Sequence, residues 1–259
     1  MNSRPAIMGM LAALVFAPCA MAEDIPAVVG WAQRVELGPL VSGVVSEVHV
    51  RPGQTVKTGD PLISLDQRGF TSEVGRRAAE QRHAKVMLDE AQREDDRAAE
   101  LYDRTVLSDY ERNQAMIALE AARATAERAR AALVGARLDL EHSVVRAPFD
   151  GVVIAVNAVA GLSVVSELQS QPLVTLADDR RLQARAEVDA EQAGRLRQDM
   201  VLSATLRGRS VQARVAYIGF EPVTSPGQEQ APRYELVTDI GRDVEPAPRV
   251  GETLMLHLD

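Results

Sequence analysis

The longest regular pattern of hydrophobic and polar positions lies between Pro61 and Pro148, a stretch without proline that also lacks glycine from Arg76 to Val134. Long helices are therefore permitted in this stretch. In its second half, apolar residues recur at steps of four and three, which is typical of a coiled-coil seam. The seam positions are Ala115, Leu119, Ala122, Ala126, Ala129, Leu133, Ala136 and Leu140. Because most of them are alanines, a partner helix can approach closely.

The first half of the stretch provides that partner helix. It carries a rougher apolar stripe, in which Glu94 and Asp95 are polar flaws. The stripe consists of Ala84, Leu88, Ala91, Ala98 and Leu101. Two such helices in succession favour an antiparallel pair.

The turn between the two helices is predicted at residues 103–108, where the apolar pattern of the seam is interrupted. Ser108, with Glu111 three residues later, forms a capping box that starts the second helix. We therefore predict a helical hairpin with its tip near Val106 and with arms of about residues 71–104 and 108–141. At 1.5 Å per residue, each arm is roughly 50 Å long.

Strand-like segments on both sides of the hairpin repeat the same order of residues. Gly43-Val44-Val45 recurs as Gly151-Val152-Val153, Pro52-Gly53 as Ala160-Gly161, and Pro61-Leu62-Ile63-Ser64-Leu65 as Pro172-Leu173-Val174-Thr175-Leu176. An internal repeat with a long insertion between its copies indicates two half-motifs that pair into one β-sandwich, with the hairpin inserted.

After residue 178 the pattern changes to short alternating strands separated by turn residues. Leu182, Ala184, Ala186 and Val188 are the first apolar positions of this kind. A short helix is predicted at about 189–198, further strands at 201–206, 211–218, 234–240 and 253–258, and a proline-bearing loop at 221–232. Several short strands of this kind favour a small β-barrel.

Composition narrows the possible functions. Aromatic residues make up only 3% of the chain, and the formal net charge is −8. A nucleic-acid partner requires a basic face, so none is expected. Catalytic pockets and nucleic-acid platforms also usually use more aromatic rings.

Residues 1–22 have the pattern of a secretory signal peptide. Arg4 precedes an apolar run at 6–17, and Ala20-Met21-Ala22 is a small-x-small cleavage site. We predict cleavage after Ala22; an uncleaved anchor is the alternative, although the run is short for a membrane span. Cys19, the one cysteine, lies in this segment, so the mature chain has neither disulfides nor a thiol nucleophile.

With its repeat, its inserted hairpin and its barrel pattern, the chain resembles the HlyD-type periplasmic adaptor, or membrane fusion, proteins of tripartite efflux and secretion systems. Arg146-Ala147-Pro148-Phe149-Asp150-Gly151, where the chain leaves the second helix, is part of the resemblance. The resemblance implies an elongated, multidomain α+β fold. It places a lipoyl-like β-sandwich in two halves at 23–67 and 143–177, an α-helical coiled-coil hairpin at 68–142 and a β-barrel at 178–259. The chain departs from the members that have a membrane-proximal domain, because only residues 23–34 precede the first sandwich strands and the sequence stops at Asp259, so we expect a short form without that domain.

The resemblance further implies a partner-binding site at the hairpin tip. The family's tip carries an Arg-x3-Leu-x6-Ser pattern that engages a TolC-type outer-membrane channel, and Arg97, Leu101 and Ser108 match its spacing. Purely structural roles are the alternative, with Arg97 on a solvated face, Leu101 in the seam and Ser108 as a helix cap.

For the whole protein, the resemblance implies a periplasmic adaptor that links an inner-membrane transporter, with the RND type favoured, to the outer-membrane channel and supports export of small molecules. It places the protein in the periplasm, associated with the inner membrane through the transporter. It implies self-association into a ring, with or without a second adaptor. No cofactor is expected.

Three other classes of protein are alternatives to an adaptor. A lipoyl or biotin carrier shares the turn pattern, but the positions of the acylated lysine hold Gly69 and Arg180. An enzyme or metal site is not predicted, because the four histidines, His49, His83, His142 and His257, have no partners at suitable spacing. A coiled-coil periplasmic assembly protein without a role in transport would explain the hairpin but not the repeat around it.

Overall fold

The structure, a computed structural model, describes residues 23–166, 172–223, 231–241 and 248–258. The predicted signal peptide at 1–22 lies outside the described residues, as does the centre of the predicted loop at 221–232. The described chain divides into two compact units. One contains residues 31–180, and the other contains residues 23–30 and 181–258.

The strands and helices of the described residues follow one another in this order: β1 Glu23–Trp31, β2 Arg34–Leu37, β3 Gly43–Val48, β4 Thr55–Val56, β5 Pro61–Leu65, α1 Arg68–Asp103, α2 Asp109–His142, β6 Val144–Arg146, β7 Gly151–Val156, β8 Ser163–Val164, β9 Val174–Ala177, β10 Leu182–Val188, α3 Ala190–Arg195, β11 Val201–Leu206, β12 Arg209–Pro222, β13 Tyr234–Ile240 and β14 Thr253–Leu258.

The unit of residues 31–180 contains a sandwich of two four-stranded sheets. Their strand orders are β2-β9-β7-β4 and β6-β5-β3-β8. Each sheet therefore combines strands from before and after the two long helices. The prediction that both repeats build one sandwich is confirmed.

The two copies of the repeat make equivalent hydrogen bonds to each other. Gly53 N donates to the Val153 carbonyl at 2.7 Å, and Gly161 N donates to the Val45 carbonyl at 2.8 Å. Both glycines have a positive φ, 84° and 89°, which residues with a Cβ rarely adopt. The repeated residues thus occupy equivalent positions in the two halves.

One hydrophobic core fills the sandwich and draws on both halves. Leu62, Ile63 and Leu65 from the first half are at most 1% exposed, as are Leu173 and Leu176 from the second half. Full burial of one such side chain contributes about 1.5–3 kcal/mol. This core is what holds the two distant segments together.

The segment that follows α2 adds polar contacts between the halves. The backbone N–H of Thr58 and its hydroxyl both donate to Asp150 Oδ1 at 2.8 Å, and these two bonds lower the pKa of Asp150. Arg146 Nη1 donates to the Gly59 carbonyl at 2.9 Å. The residues that carry part of the family resemblance therefore have a structural role.

The helices α1 and α2, of 36 and 34 residues, lie between β5 and β6 and pack against each other. At one end Gln67 Nε2 donates to Ser143 Oγ at 3.0 Å, and towards the other end Arg112 of α2 forms an ion pair with Asp95 of α1. The two helices therefore run antiparallel. No helix among the described residues has the length and apolar character needed to cross a membrane.

The second unit is a closed six-stranded barrel with the order β1-β10-β13-β12-β11-β14. Leu182, Ala184, Ala186 and Val188 of β10 face its interior and are at most 6% exposed, as their alternation predicts. The strand predicted at 211–218 is longer, because β12 extends to Pro222 and pairs there with Tyr234.

One predicted boundary is wrong. Residues 23–30 were assigned to the first sandwich half, but β1 belongs to the barrel, where it pairs with β14 from Glu23↔Leu258 to Val28↔Thr253. Ile25, Ala27 and Val29 point into the barrel and are at most 2% exposed. The partner strand lies at the opposite end of the chain, so local periodicity could not identify it.

We expect Gly151→Ala to destabilise the sandwich. A Cβ at this position would lie 2.2 Å from the Ala177 carbonyl oxygen on the neighbouring strand β9. The strands would have to separate, so the free energy of unfolding should fall by about 1–3 kcal/mol. Urea or thermal unfolding of the full chain measures this change.

Gly75→Ala is the matched control. Gly75 lies exposed in α1, and a Cβ there meets nothing within 4 Å outside its own helix backbone. Because glycine is unfavourable inside a helix, this variant should be more stable by about 0.5–1 kcal/mol. Identical unfolding curves for the two variants would contradict the close approach of β7 and β9.

Candidate functional site

The hairpin tip, residues 94–112, contains all three residues predicted to contact a partner. Its turn is closed by the backbone at the end of α1: Val106 N donates to the Leu101 carbonyl at 3.0 Å, and Thr105 N donates to the Tyr102 carbonyl at 2.8 Å. These two bonds form a Schellman motif, in which Thr105 takes the left-handed position with a φ of 60°. A β-branched residue is unfavourable in this conformation. The tip therefore holds a strained backbone between two regular helices.

Ser108 is the N-cap of α2, as the sequence predicts. Its hydroxyl accepts from Glu111 N at 3.4 Å and donates to Glu111 Oε2 at 2.7 Å, and Ser108 N donates to the same carboxylate at 3.0 Å. The hydrogen bond from Ser108 N lowers the pKa of Glu111 most, and the bond from the Ser108 hydroxyl lowers it further. The carboxylate that completes the capping box is thus ionised at neutral pH.

Arg97 and Leu101 lie one helical turn apart on α1, so their side chains project from the same face. Arg97 is 64% exposed at its side chain and pairs with Glu94, one turn earlier, at 2.7 Å. An exposed pair of this kind contributes little to stability and is easily exchanged for another partner. Leu101 is half-buried.

The tip also exposes apolar and aromatic side chains that the sequence pattern did not single out. Val106 is 68% exposed and Tyr110 is 71% exposed. Tyr102 is 41% exposed, and its hydroxyl donates to Asp109 Oδ1 at 2.6 Å, which raises the pKa of Tyr102. Two tyrosines lie close to one turn in a chain with only 3% aromatic residues, and this clustering is the sequence feature that could have indicated an exposed aromatic surface.

The interpretation of Asp95 as a flaw in the apolar stripe is wrong. Its carboxylate pairs with Arg112 of α2 at 2.6 Å, and the two side chains are only 12% and 24% exposed. The antiparallel arrangement places Arg112 opposite Asp95, so the polar residue has its partner across the seam. Glu94, the other interruption, points outwards to Arg97.

Two histidines have hydrogen-bond partners that spacing along the sequence did not reveal. His257 Nδ1 lies 2.6 Å from Asp24 Oδ1, and its Nε2 lies 2.7 Å from Thr205 Oγ1, so the imidazole links β1, β14 and β11. His49 Nε2 lies 2.8 Å from Ser64 Oγ. In the part of the chain that the structure describes, no group of three or more His, Cys, Asp or Glu side chains could hold a metal ion.

Comparison with known protein families identifies a related domain. A family model described as a CzcB-like barrel-sandwich hybrid domain matches residues 33–178, more than half of the chain. The matched residues include both sandwich halves and the two helices between them.

Several solved structures resemble the chain over most of its length. The membrane fusion protein Spr0693 from Streptococcus pneumoniae R6 has a TM-score of 0.73 at 17% identity, over 92% of this chain and 99% of that chain. A MacA–MexA chimera with the Pseudomonas aeruginosa MexA α-hairpin domain has a TM-score of 0.66 at 20% identity, over 91% and 79%. ZneB from Cupriavidus metallidurans has a TM-score of 0.51 at 19% identity, over 91% and 97%. At these identities the likeness shows a shared fold.

We expect Asp95→Ala to destabilise the hairpin tip, because Arg112 would lose its partner in a largely buried position. The free energy of unfolding should fall by about 1–3 kcal/mol. Asp96→Ala is the control. The carboxylate of Asp96, the next residue, is exposed and should contribute less than about 0.5 kcal/mol to the free energy of unfolding.

A double-mutant cycle with Arg112→Ala isolates the pair from other effects of each substitution. The measurement is urea unfolding followed by helical circular dichroism. A coupling energy near zero between residues 95 and 112 would contradict an ion pair in solution.

Proposed function

Because this chain belongs to the family with a CzcB-like barrel-sandwich hybrid domain, we propose that it is a periplasmic adaptor subunit. In this role it links an inner-membrane efflux transporter to an outer-membrane TolC-type channel and supports export of small molecules. The observation that carries the proposal is the long two-helix hairpin inserted between two halves of one sandwich. Among the structures that share the fold is a membrane fusion protein.

The proposal includes a coiled coil along the whole hairpin. Ala84, Ala98, Leu119, Leu133 and Ala136, all at seam positions of the sequence pattern, are between 5% and 9% exposed. Small side chains at the seam let the helices approach closely and hold the tip as a rigid element. Little ordering entropy is then lost when the tip docks.

Docking to the channel is assigned to the exposed side chains of the tip. The planar guanidinium of Arg97 can exchange Glu94 for carboxylates or backbone carbonyls of the channel. Val106 and Tyr110, together with Leu101, offer apolar area. The hydroxyl of Ser108 makes two hydrogen bonds within the capping box, and its oxygen keeps one lone pair that can accept a bond from the channel. Its capping bonds also hold the turn beside these groups.

The remaining partners follow from the family resemblance. An RND-type transporter is the favoured inner-membrane partner. A single pair of helices cannot enclose a conduit, whereas a closed ring of protomers can, so self-association into a ring is part of the proposal. A second adaptor completes that ring where this chain alone does not. Residues 1–22 direct the protein to the periplasm, where the transporter holds it at the inner membrane.

We expect Arg97→Glu to abolish export in cells, because the reversed charge repels the acceptor groups that the guanidinium would bind. Stability should change by less than about 0.5 kcal/mol, since the residue lies on an exposed helix face. An export assay with the melting temperature of each variant measures both effects.

Arg123→Glu is the matched control. Arg123 pairs with Glu120 at 2.8 Å, with the same spacing as the Arg97–Glu94 pair at 2.7 Å, and its side chain is 54% exposed against 64%. It lies on α2, roughly 20 Å from the start of that helix at 1.5 Å per residue. Arg82→Glu, on α1 but farther from the tip, is a second control. Normal export by all three variants would remove Arg97 from the site, and co-purification with no export component would favour the assembly-protein alternative.

A further inference from the structure

The barrel unit has a groove that the proposed role of the hairpin tip does not use. It lies between α3 and the end of the β12–β13 pair and has a volume of about 480 Å³. This barrel groove is lined by small, apolar and aromatic residues with two polar ones: Ala190, Ala193, Leu196, Arg197, Gln198, Tyr217, Ile218, Gly219, Phe220 and Tyr234. Its volume is within the range of about 300–1,000 Å³ that is typical of small-molecule sites.

Aromatic residues are concentrated in this groove. The described part of the chain has eight of them, and Tyr217, Phe220 and Tyr234 all line it. Phe220 is fully exposed, at 101%, and Tyr217 is 44% exposed. An exposed phenylalanine ring is unfavourable in water, and a ligand that covers it would recover that free energy.

The backbone of β12 explains why this surface exists. A regular strand turns alternate side chains to opposite faces, yet four consecutive residues, 217–220, line the groove. The β12–β13 pairing shifts register between Val215 and Tyr217 and again between Ile218 and Pro222. Bulges of this kind redirect side chains and are frequent at binding sites.

Both walls of the groove are held in place. Tyr217 donates its hydroxyl to Glu235 Oε2 at 2.9 Å, which fixes the ring. On the other wall, Asp189 caps α3 by accepting from Glu191 N and Gln192 N at 2.9 and 2.8 Å, and Leu196 is 5% exposed. A preformed site of this kind binds a ligand without a large ordering cost.

Arg197 gives the groove its charge. It is the one charged residue in the lining, and no residue that the structure describes forms an ion pair or hydrogen bond with its guanidinium. The chain as a whole carries a net charge of −8, so a single cation among aromatic rings contrasts with its surroundings. A planar guanidinium binds carboxylates and sulfonates through two parallel hydrogen bonds and also stacks on rings.

We propose that the barrel groove binds a small organic anion with a flat aromatic body. The rings stack against Tyr217 and Phe220, and the acid group pairs with Arg197. A docked protein is not favoured, because a stable protein interface uses about 20–30 residues on each side. The inference goes beyond the proposed function, since it involves no residue of the hairpin tip.

Two dyes with similar aromatic bodies test the proposal on the full mature chain. The first, 8-anilinonaphthalene-1-sulfonate, carries a sulfonate, and the second, N-phenyl-1-naphthylamine, is neutral. In fluorescence titrations the anionic dye should saturate one site and bind at least about tenfold more tightly than the neutral one, since only it can pair with Arg197.

Two variants separate the contribution of ring contact from that of the charge on Arg197. Phe220→Ala should weaken both dyes about tenfold by removing ring contact. Arg197→Gln should weaken only the anionic dye, down to the level of the neutral one. Val159→Ala and Arg51→Gln, at exposed positions of the sandwich unit, are matched controls and should bind both dyes as the parent chain does.

Three results would overturn the proposal. The first is anionic dye binding that Phe220→Ala leaves unchanged. The second is a change of oligomeric state in Phe220→Ala by sedimentation, which would show that a second copy covers the groove. The third is Arg197-dependent binding to anionic phospholipid vesicles without dye binding, which would indicate a membrane surface as the ligand.

Discussion

The hydrophobic core shared by the two sandwich halves is the constraint on which the rest of the structure depends. Neither half can complete a sheet alone: β4 pairs with β7, and β8 pairs with β3, so each two-residue strand finds its partner in the other half. A long flexible insertion between the halves would oppose this pairing through its closure entropy. The helices remove that obstacle, because their antiparallel packing brings Gln67 and Ser143 within hydrogen-bond distance. Sandwich and hairpin therefore stabilise each other.

The sandwich fixes the register of α1 against α2 only at the end of the hairpin that joins it. A seam of similar small residues repeated every three and four positions packs almost equally well after a slip of one heptad. The Asp95–Arg112 pair distinguishes the registers, because such a slip would place Leu119 or Thr105 opposite a largely buried carboxylate. An unpaired buried charge is strongly unfavourable. The Asp95–Arg112 pair thus fixes which residues of the two helices meet near the turn.

Sequence pattern identified the elements whose signals are local. The capping box at Ser108, the alternation in β10 and the glycine turns at Gly53 and Gly161 each depend on residues a few positions apart, and each was found. The pairing of the two sandwich halves was predicted only because their sequences repeat, and other contacts between distant residues were not predicted. β1 joins a strand at the other end of the chain, and Asp95 looked like a flaw because its partner is recognisable only once the helix register is known. The barrel groove could not be predicted for a related reason. The bulges in β12 break the alternation of side chains that predicts which face of a strand each residue occupies.

The two surfaces proposed for binding differ in how many partner atoms one protomer can contact. The tip offers few exposed side chains, chiefly Arg97, Val106 and Tyr110, whereas a stable protein interface uses about 20–30 residues per partner. A single tip would therefore dock weakly. Several identical tips on one partner act at high effective concentration, which can raise affinity by about 10²–10⁴ without any new contact. Ring formation and channel docking are thus physically linked in the proposed function, because the ring supplies the affinity that one tip lacks. The proposed ligand site in the barrel groove needs no such assembly, since its lining residues all come from one protomer.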